Sequence, residues 1–214
     1  MPNDTERFEN LTPGEPPVRG FLHRADSADV LVLTHSAGGN CNAPLLVAVA
    51  EEFSQRSLNV LRCDLPFRQR RPKGPPMRTA NEDQQGLRRA AELMRGQFSG
   101  RVFMGGHSYG GRMASMLLAA QPNVAEALLL LGYPLHPPKK PQQMRTQHFP
   151  ELRTPTLFVQ GTKDEFAVIG EIDAARKLIA GKSELLVIDA AGHSLAPKFA
   201  ERIVEAFAAF VSSA

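Results

Sequence analysis

Six short apolar runs recur along the chain, each set off from the next by a stretch long enough for a helix: Val30–Leu33, Asn59–Cys63, Val102–Met104, Ala127–Leu131, Thr156–Gln160 and Leu185–Ile188. Short runs rich in Val, Ile and Leu suit strands buried on both faces. Strands alternating with helical stretches predict a mostly parallel sheet with helices on both sides. The intervening segments agree. Pro44 stands in the first turn of a helix that Asn42 can cap, with Leu46, Val49, Ala50 and Phe53 at helical spacing. Leu87, Ala90, Ala91 and Met94 form the apolar face of a second helix, and residues 112–120 and 167–180 predict two more, the latter stopped by Gly181. The chain closes on a helix whose stripe of Phe199, Ile203, Phe207 and Phe210 reads as core packing. The first twenty residues are rich in Pro and Gly and are expected to be irregular, with Val18–His23 adding an edge strand. No insertion is long enough for a lid, so residues 1–214 read as a single α/β domain.

A chain of 214 residues buries enough surface to need neither a disulfide nor a metal to hold it together. Its two cysteines, Cys41 and Cys63, have no metal-ligand or redox spacing and are expected to be buried thiols. With no signal-peptide pattern at residues 1–6, they point to the cytoplasm. No apolar stretch approaches the ~20 residues of a membrane span, and no cofactor is expected.

The chemistry is concentrated at Gly106-His107-Ser108-Tyr109-Gly110, a G-x-S-x-G string that follows one predicted strand and opens a helix. Such a turn holds the serine at positive φ, so the flanking glycines are needed for lack of bulk. A phosphate cradle is the competing reading, but no Lys-Ser/Thr follows the glycines. A serine hydroxyl needs a base to become nucleophilic. Downstream, Asp164 follows one predicted strand and His193 the next, both on the edge of the sheet where such folds place ligands. The order serine, acid, histidine identifies Ser108 as candidate nucleophile, His193 as base and Asp164 as orienting acid, with Glu165 as a rival for the last role. An oxyanion hole needs two backbone N–H donors. Tyr109 is one candidate; Ala37, or failing that Ser36, is the other, in the loop His35–Asn40, which His35 is expected to brace.

These residues together resemble the α/β-hydrolase superfamily along nearly the whole chain. Asp64-Leu65-Pro66-Phe67-Arg68 and residues 131–138 are similar to a compact, lidless, dienelactone-hydrolase-like group. Relatives of a testis-expressed protein and of a chromatin-complex subunit belong to that group. The resemblance implies the fold, the Ser108, Asp164 and His193 roles and the Ala37 and Tyr109 donors; it implies no substrate. Dienelactone hydrolases carry a cysteine at the elbow, where this chain has Ser108. The expected activity is therefore cleavage of an ester or related acyl bond through an acyl-enzyme. The alternative is a binding or scaffolding protein on the same fold, as the chromatin-complex relative illustrates.

The net charge is only +3, but its placement is uneven. Arg68, Arg70, Arg71, Lys73 and Arg78 crowd one predicted loop, and Lys139, Lys140 and Arg145 another. If these loops rim the entrance, with His136 beside them, the small-molecule acyl substrate is expected to be anionic. If they are merely solvated, charge says nothing of the substrate. Nucleic acid is the less expected partner, because the first loop has no stacking aromatic apart from Phe67.

Overall fold

The computed structural model describes residues 5–77 and 79–213. Eight strands form one sheet: β1 (Thr5–Asn10), β2 (Val18–His23), β3 (Val30–Thr34), β4 (Asn59–Cys63), β5 (Val102–His107), β6 (Leu128–Leu131), β7 (Thr156–Gly161) and β8 (Ser183–Ile188). Their spatial order is β1-β2-β4-β3-β5-β6-β7-β8. β1 pairs antiparallel with β2, and β2 with β4; every other pairing is parallel. The helices are α1 (Pro44–Gln55), α2 (Pro66–Arg70), α3 (Ala80–Gln97), α4 (Tyr109–Ala120), α5 (Ile169–Arg176) and α6 (Ala200–Ser212).

The alternation of side chains along each strand sorts the core into two layers. Val30, Val32, Met104, Leu128 and Leu130 face α3, α4 and α5, meeting Leu87, Met94, Met113, Leu117 and Ile172. Leu31, Leu33, Phe103, Leu129 and Leu131 face α1 and α6. There Phe207 packs edge-on against Phe53 and Phe103, with centroids 5.7 and 5.6 Å away. Burying each such side chain stabilises the fold by about 1.5–3 kcal/mol.

Four sequence expectations require correction. The N-terminal segment is not irregular: β1 runs in six-residue register with β2, from Thr5↔His23 to Asn10↔Val18. β2 therefore lies inside the sheet and β1 is the edge. Backbone pairing, the ion pairs Arg19–Glu9 and Arg24–Glu6 and the half-buried Phe8 hold β1 in place. Asn42 does not cap α1, whose N-cap is Ala43; its Oδ1 instead accepts from Arg62. The Pro/Arg-rich stretch is partly helical, as α2, because Pro66 fits a helix start. Finally α5 is shorter than predicted. The Arg176 carbonyl accepts from Ser183 Oγ, and its guanidinium donates to the Ser183 carbonyl, turning the chain back toward β8.

Candidate active site

The strand-to-helix turn between β5 and α4 places Ser108 at φ 52°, ψ −114°, a strained conformation for a residue with a side chain. Its neighbours explain how the turn closes. A Cβ on Gly106 would come within 2.5 Å of the Gly110 carbonyl carbon, and one on Gly110 within 2.5 Å of the His35 carbonyl oxygen. α4 starts at Tyr109, three residues earlier than its apolar pattern implies, so Ser108 sits directly at the helix N-terminus. Ser108 is only 8% exposed.

The loops after β7 and β8 bring the other two candidates to it. His193 Nε2 lies 2.8 Å from Ser108 Oγ, and His193 Nδ1 lies 2.8 Å from Asp164 Oδ2. Asp164 is 3% exposed, and it accepts further hydrogen bonds from Gln160 Nε2 at 2.6 Å and the Phe166 N–H at 2.8 Å. Glu165, by contrast, is exposed. The Phe166 ring stacks on the His193 imidazole at 4.0 Å and covers one face of it. His107 Nε2–H donates to the His193 carbonyl at 2.9 Å, fixing the backbone of the histidine loop. Burial pushes the His107 imidazole down to about 4, so it is neutral.

His35 braces the loop after β3. Its Nδ1–H donates to the Ser36 carbonyl at 2.8 Å, and its Nε2 accepts from the Leu65 N–H at 3.1 Å. Burial holds its imidazole below the usual value, consistent with the neutral tautomer these partners require. Ser36, Ala37 and Gly38 border a cavity of about 510 Å³ that also reaches Ser108, Tyr109 and His193.

The expected basic rim is placed differently. Arg68 points inward, 5% exposed, and donates to the carbonyls of Gly39 at 2.7 Å, Ala37 at 2.8 Å, and Arg71 and Gly74 at 3.1 Å. It is a clamp behind the loop after β3 and does not line the cavity. Arg70 pairs with Glu82 on the outer surface, and Arg71 contacts Met77 Sδ. His136 is buried and hydrogen-bonded to Glu171 at 3.1 Å. Arg78 lies outside the described residues. The arginines that do line the cavity are Arg112, on α4, and Arg145, from the second basic loop.

The sequence reading passed over Arg112 as a site residue, and Gln160, Phe166 and Asp83 with it. Asp83, fully buried, accepts from Tyr109 Oη at 2.7 Å, Thr79 Oγ1 at 3.0 Å and the Phe67 N–H at 3.0 Å. It thereby holds the residue after the serine. Arg112 carried a signal, since it lies four residues beyond Ser108, in the first turn of the helix that the G-x-S-x-G string opens. Among the described residues, no three or more His, Cys, Asp or Glu side chains are grouped to hold a metal ion, and no helix is long and apolar enough to cross a membrane.

Among solved structures, a dienelactone hydrolase from Anabaena variabilis superposes with a TM-score of 0.76 at 21% identity, covering 100% of this chain and 97% of that one. A homologue of α/β serine hydrolases from Coxiella burnetii gives 0.72 at 19%, covering 97% and 96%. A serine hydrolase without a lid, from Xanthomonas campestris, gives 0.71 at 15%, covering 97% and 96%. At these identities the likeness is one of fold. Residues 27–206 match the family described as the alpha/beta hydrolase domain, which spans most of the sheet and both loops that carry Asp164 and His193. The chain belongs to the alpha/beta hydrolase family.

Proposed function

We propose that the protein is a serine hydrolase that cleaves an ester or related acyl bond through an acyl-enzyme. The observation that carries this reading is the continuous line from Ser108 Oγ through His193 to Asp164, with both links at 2.8 Å. Ser108 Oγ attacks the acyl carbon while His193 Nε2 takes its proton. Asp164 holds the proton on Nδ1, leaving Nε2 free to accept, and stabilises the imidazolium that results. The developing oxyanion is met by the Tyr109 N–H at the start of α4 and by the Ala37 N–H, with Ser36 as the alternative second donor. The carbon–oxygen bond to the leaving group then breaks, and His193 returns the proton to the departing alkoxide. Water repeats the sequence on the acyl-enzyme, releasing the acid and restoring Ser108. Cys41 and Cys63 are free and buried, and burial pushes the Cys41 thiol up to about 12, an arrangement suited to a reducing cytoplasm.

The test is covalent. A fluorophosphonate should label one residue, Ser108, stoichiometrically, and Ser108→Ala should remove the label. Against a panel of activated esters of graded acyl length, the same variant should lose several orders of magnitude in turnover. A folded wild-type protein that takes no label and cleaves no ester would overturn the assignment.

A further inference from the structure

Among the described residues, most arginines are ion-paired or hydrogen-bonded within the fold, and others, such as Arg153 and Arg202, are exposed. Arg101 pairs with Asp29, Arg176 with Asp173 and Arg95 with Glu126. The inward-turned Arg68 fills its donors with carbonyls. Arg89, whose Nε is buried without a partner, still pairs with Glu92. Arg112 differs. Its Nε is shielded from solvent and has no hydrogen-bond partner. Among the described residues its side chain forms no ion pair. Arg145 also has no acidic partner there, and its one side-chain hydrogen bond runs from Nη1 to the Pro134 carbonyl at 3.2 Å.

Both arginines line the same cavity as Ser108, and among the described residues no acidic one does. Burial, with the like charge of Arg112 adding to it, holds Arg145 below the usual value. Arginine stays protonated all the same, so the cavity wall carries two uncompensated cations. Such an arrangement costs stability in the empty protein, and an anion placed between them removes the cost. The positions are also fixed rather than incidental. Arg112 follows Ser108 by one turn of α4, its N–H donating to the Ser108 carbonyl at 3.0 Å. Arg145 is anchored through its backbone, which donates to the Leu135 carbonyl and accepts from Tyr133 Oη, each at 2.8 Å. Both residues line one cavity of about 510 Å³, so a group held there by Arg112 lies a short chain's length from the carbon that Ser108 attacks.

We infer that Arg112 and Arg145 form an anion subsite that binds a carboxylate of the substrate, making the preferred substrates anionic esters. This rests on the hydrolase reading above. It transfers the charge preference from the basic loop after β4, where Arg68, Arg70 and Arg71 have partners elsewhere, to a pair lining the cavity.

The experiment compares 4-nitrophenyl hydrogen glutarate with its uncharged isostere 4-nitrophenyl 5-methylhexanoate, spontaneous hydrolysis subtracted. A second arm, 4-acetoxybenzoate against methyl 4-acetoxybenzoate, puts the charge on the leaving group and so distinguishes the two sides of the ester. In at least one arm, wild-type kcat/KM should favour the anion by about 10-fold or more at low ionic strength. The ratio should shrink as ionic strength rises from ~0.01 to ~0.15 M, a readout that needs no variant. Arg112→Gln and Arg145→Gln should each bring the ratio to within about 3-fold of unity, whereas Arg112→Lys, which keeps the charge, should retain part of it. Ratios near unity in both arms at low salt overturn the subsite and leave the hydrolase reading standing. If instead no ester is cleaved and Ser108 takes no label, the hydrolase reading falls by itself, and calorimetric titration with glutarate decides the subsite. Binding weakened about 10-fold or more by either Gln substitution supports it, and absence of binding to the wild type overturns it.

Discussion

Asp164 is fixed from three sides, and one of the groups that fixes it lies four residues earlier. Gln160 donates through Nε2 to Asp164 Oδ2 and accepts the Tyr133 N–H at 2.9 Å through Oε1, so one buried amide links the turn after β6 to the acid. Replacing it by Met keeps the volume and strands the Tyr133 donor. The expected cost is about 1–3 kcal/mol of unfolding free energy, read from urea denaturation. Turnover on a cleaved ester should fall more than KM changes, because the carboxylate loses the neighbour that orients it. Asp164→Asn should lower kcat by about 10²–10⁴-fold, since an amide no longer holds the imidazole in the tautomer Ser108 requires. Glu165→Gln should remain close to wild type, its side chain being exposed; the reverse pattern would reassign the acid. The candidate acid could be read from chain order because it follows a strand. Gln160 could not, because a glutamine at the end of an apolar run looks like the place where burial stops, whereas here it is wholly buried.

Three elements meet at the carboxylate of Asp83. It sits in the first turn of α3, where the helix dipole favours a negative charge, and takes donors from the start of α2, from Thr79 and from Tyr109 on α4. Asp83→Ala takes the acceptor from three donors, the buried Phe67 N–H and the half-buried Thr79 and Tyr109 hydroxyls. The expected loss is about 3 kcal/mol or more, against about 1 kcal/mol for Tyr109→Phe, which removes one donor from a network that keeps two. Thermal unfolding of both variants checks the ranking; equal losses would mean that Asp83 acts through Tyr109 alone. These cross-element links explain why the loop after β4 was misjudged. A run of arginines ordinarily marks a solvated segment, and nothing in its spacing tells that Arg68 turns inward. Its acceptors at Gly39 and Ala37 are supplied by a segment about thirty residues earlier, brought alongside only by the parallel pairing of β3 with β4. The helices, by contrast, were readable wherever an apolar face recurs at helical spacing, as in α3 and α6, because burial against the sheet is what forms them.

At the scale of the molecule, the six central strands were legible from their apolar runs, and β1 was not, since its residues are half-buried at most and it is held chiefly by pairing. His23, on the strand so paired, is one of three histidines pushed down to about 4, which together with His35, also held low by burial, tie stability to pH. His23 on β2 accepts from Arg62 Nε at 2.8 Å, so a proton on its Nε2 would face a guanidinium. Burial first, and then Arg62, pushes it down to about 4. His107 is pushed down to about 4 chiefly by burial, and His148 likewise, with Arg112 adding to it. In the unfolded chain all three titrate near the ordinary histidine value of 6.5. Between those limits the unfolded chain binds more protons than the folded one, so unfolding free energy rises with pH across that window. The stability these groups contribute is therefore complete above about pH 6.5, is lost as pH falls, and levels off near pH 4, each group contributing at most about 1.4 kcal/mol per pH unit. Above about pH 5 most carboxylates remain ionised, so urea midpoints measured from about pH 7 down to about pH 5 should isolate the histidine contribution. His148→Gln provides the control. The amide can still donate to Ser115 Oγ, which His148 Nε2 meets at 2.8 Å, yet it cannot take up a proton. The variant should show a shallower decline over the same interval. A wild-type midpoint that stays flat from pH 7 to pH 5 would mean that the folded protein accommodates these protons, and that the three imidazoles are not held neutral by burial.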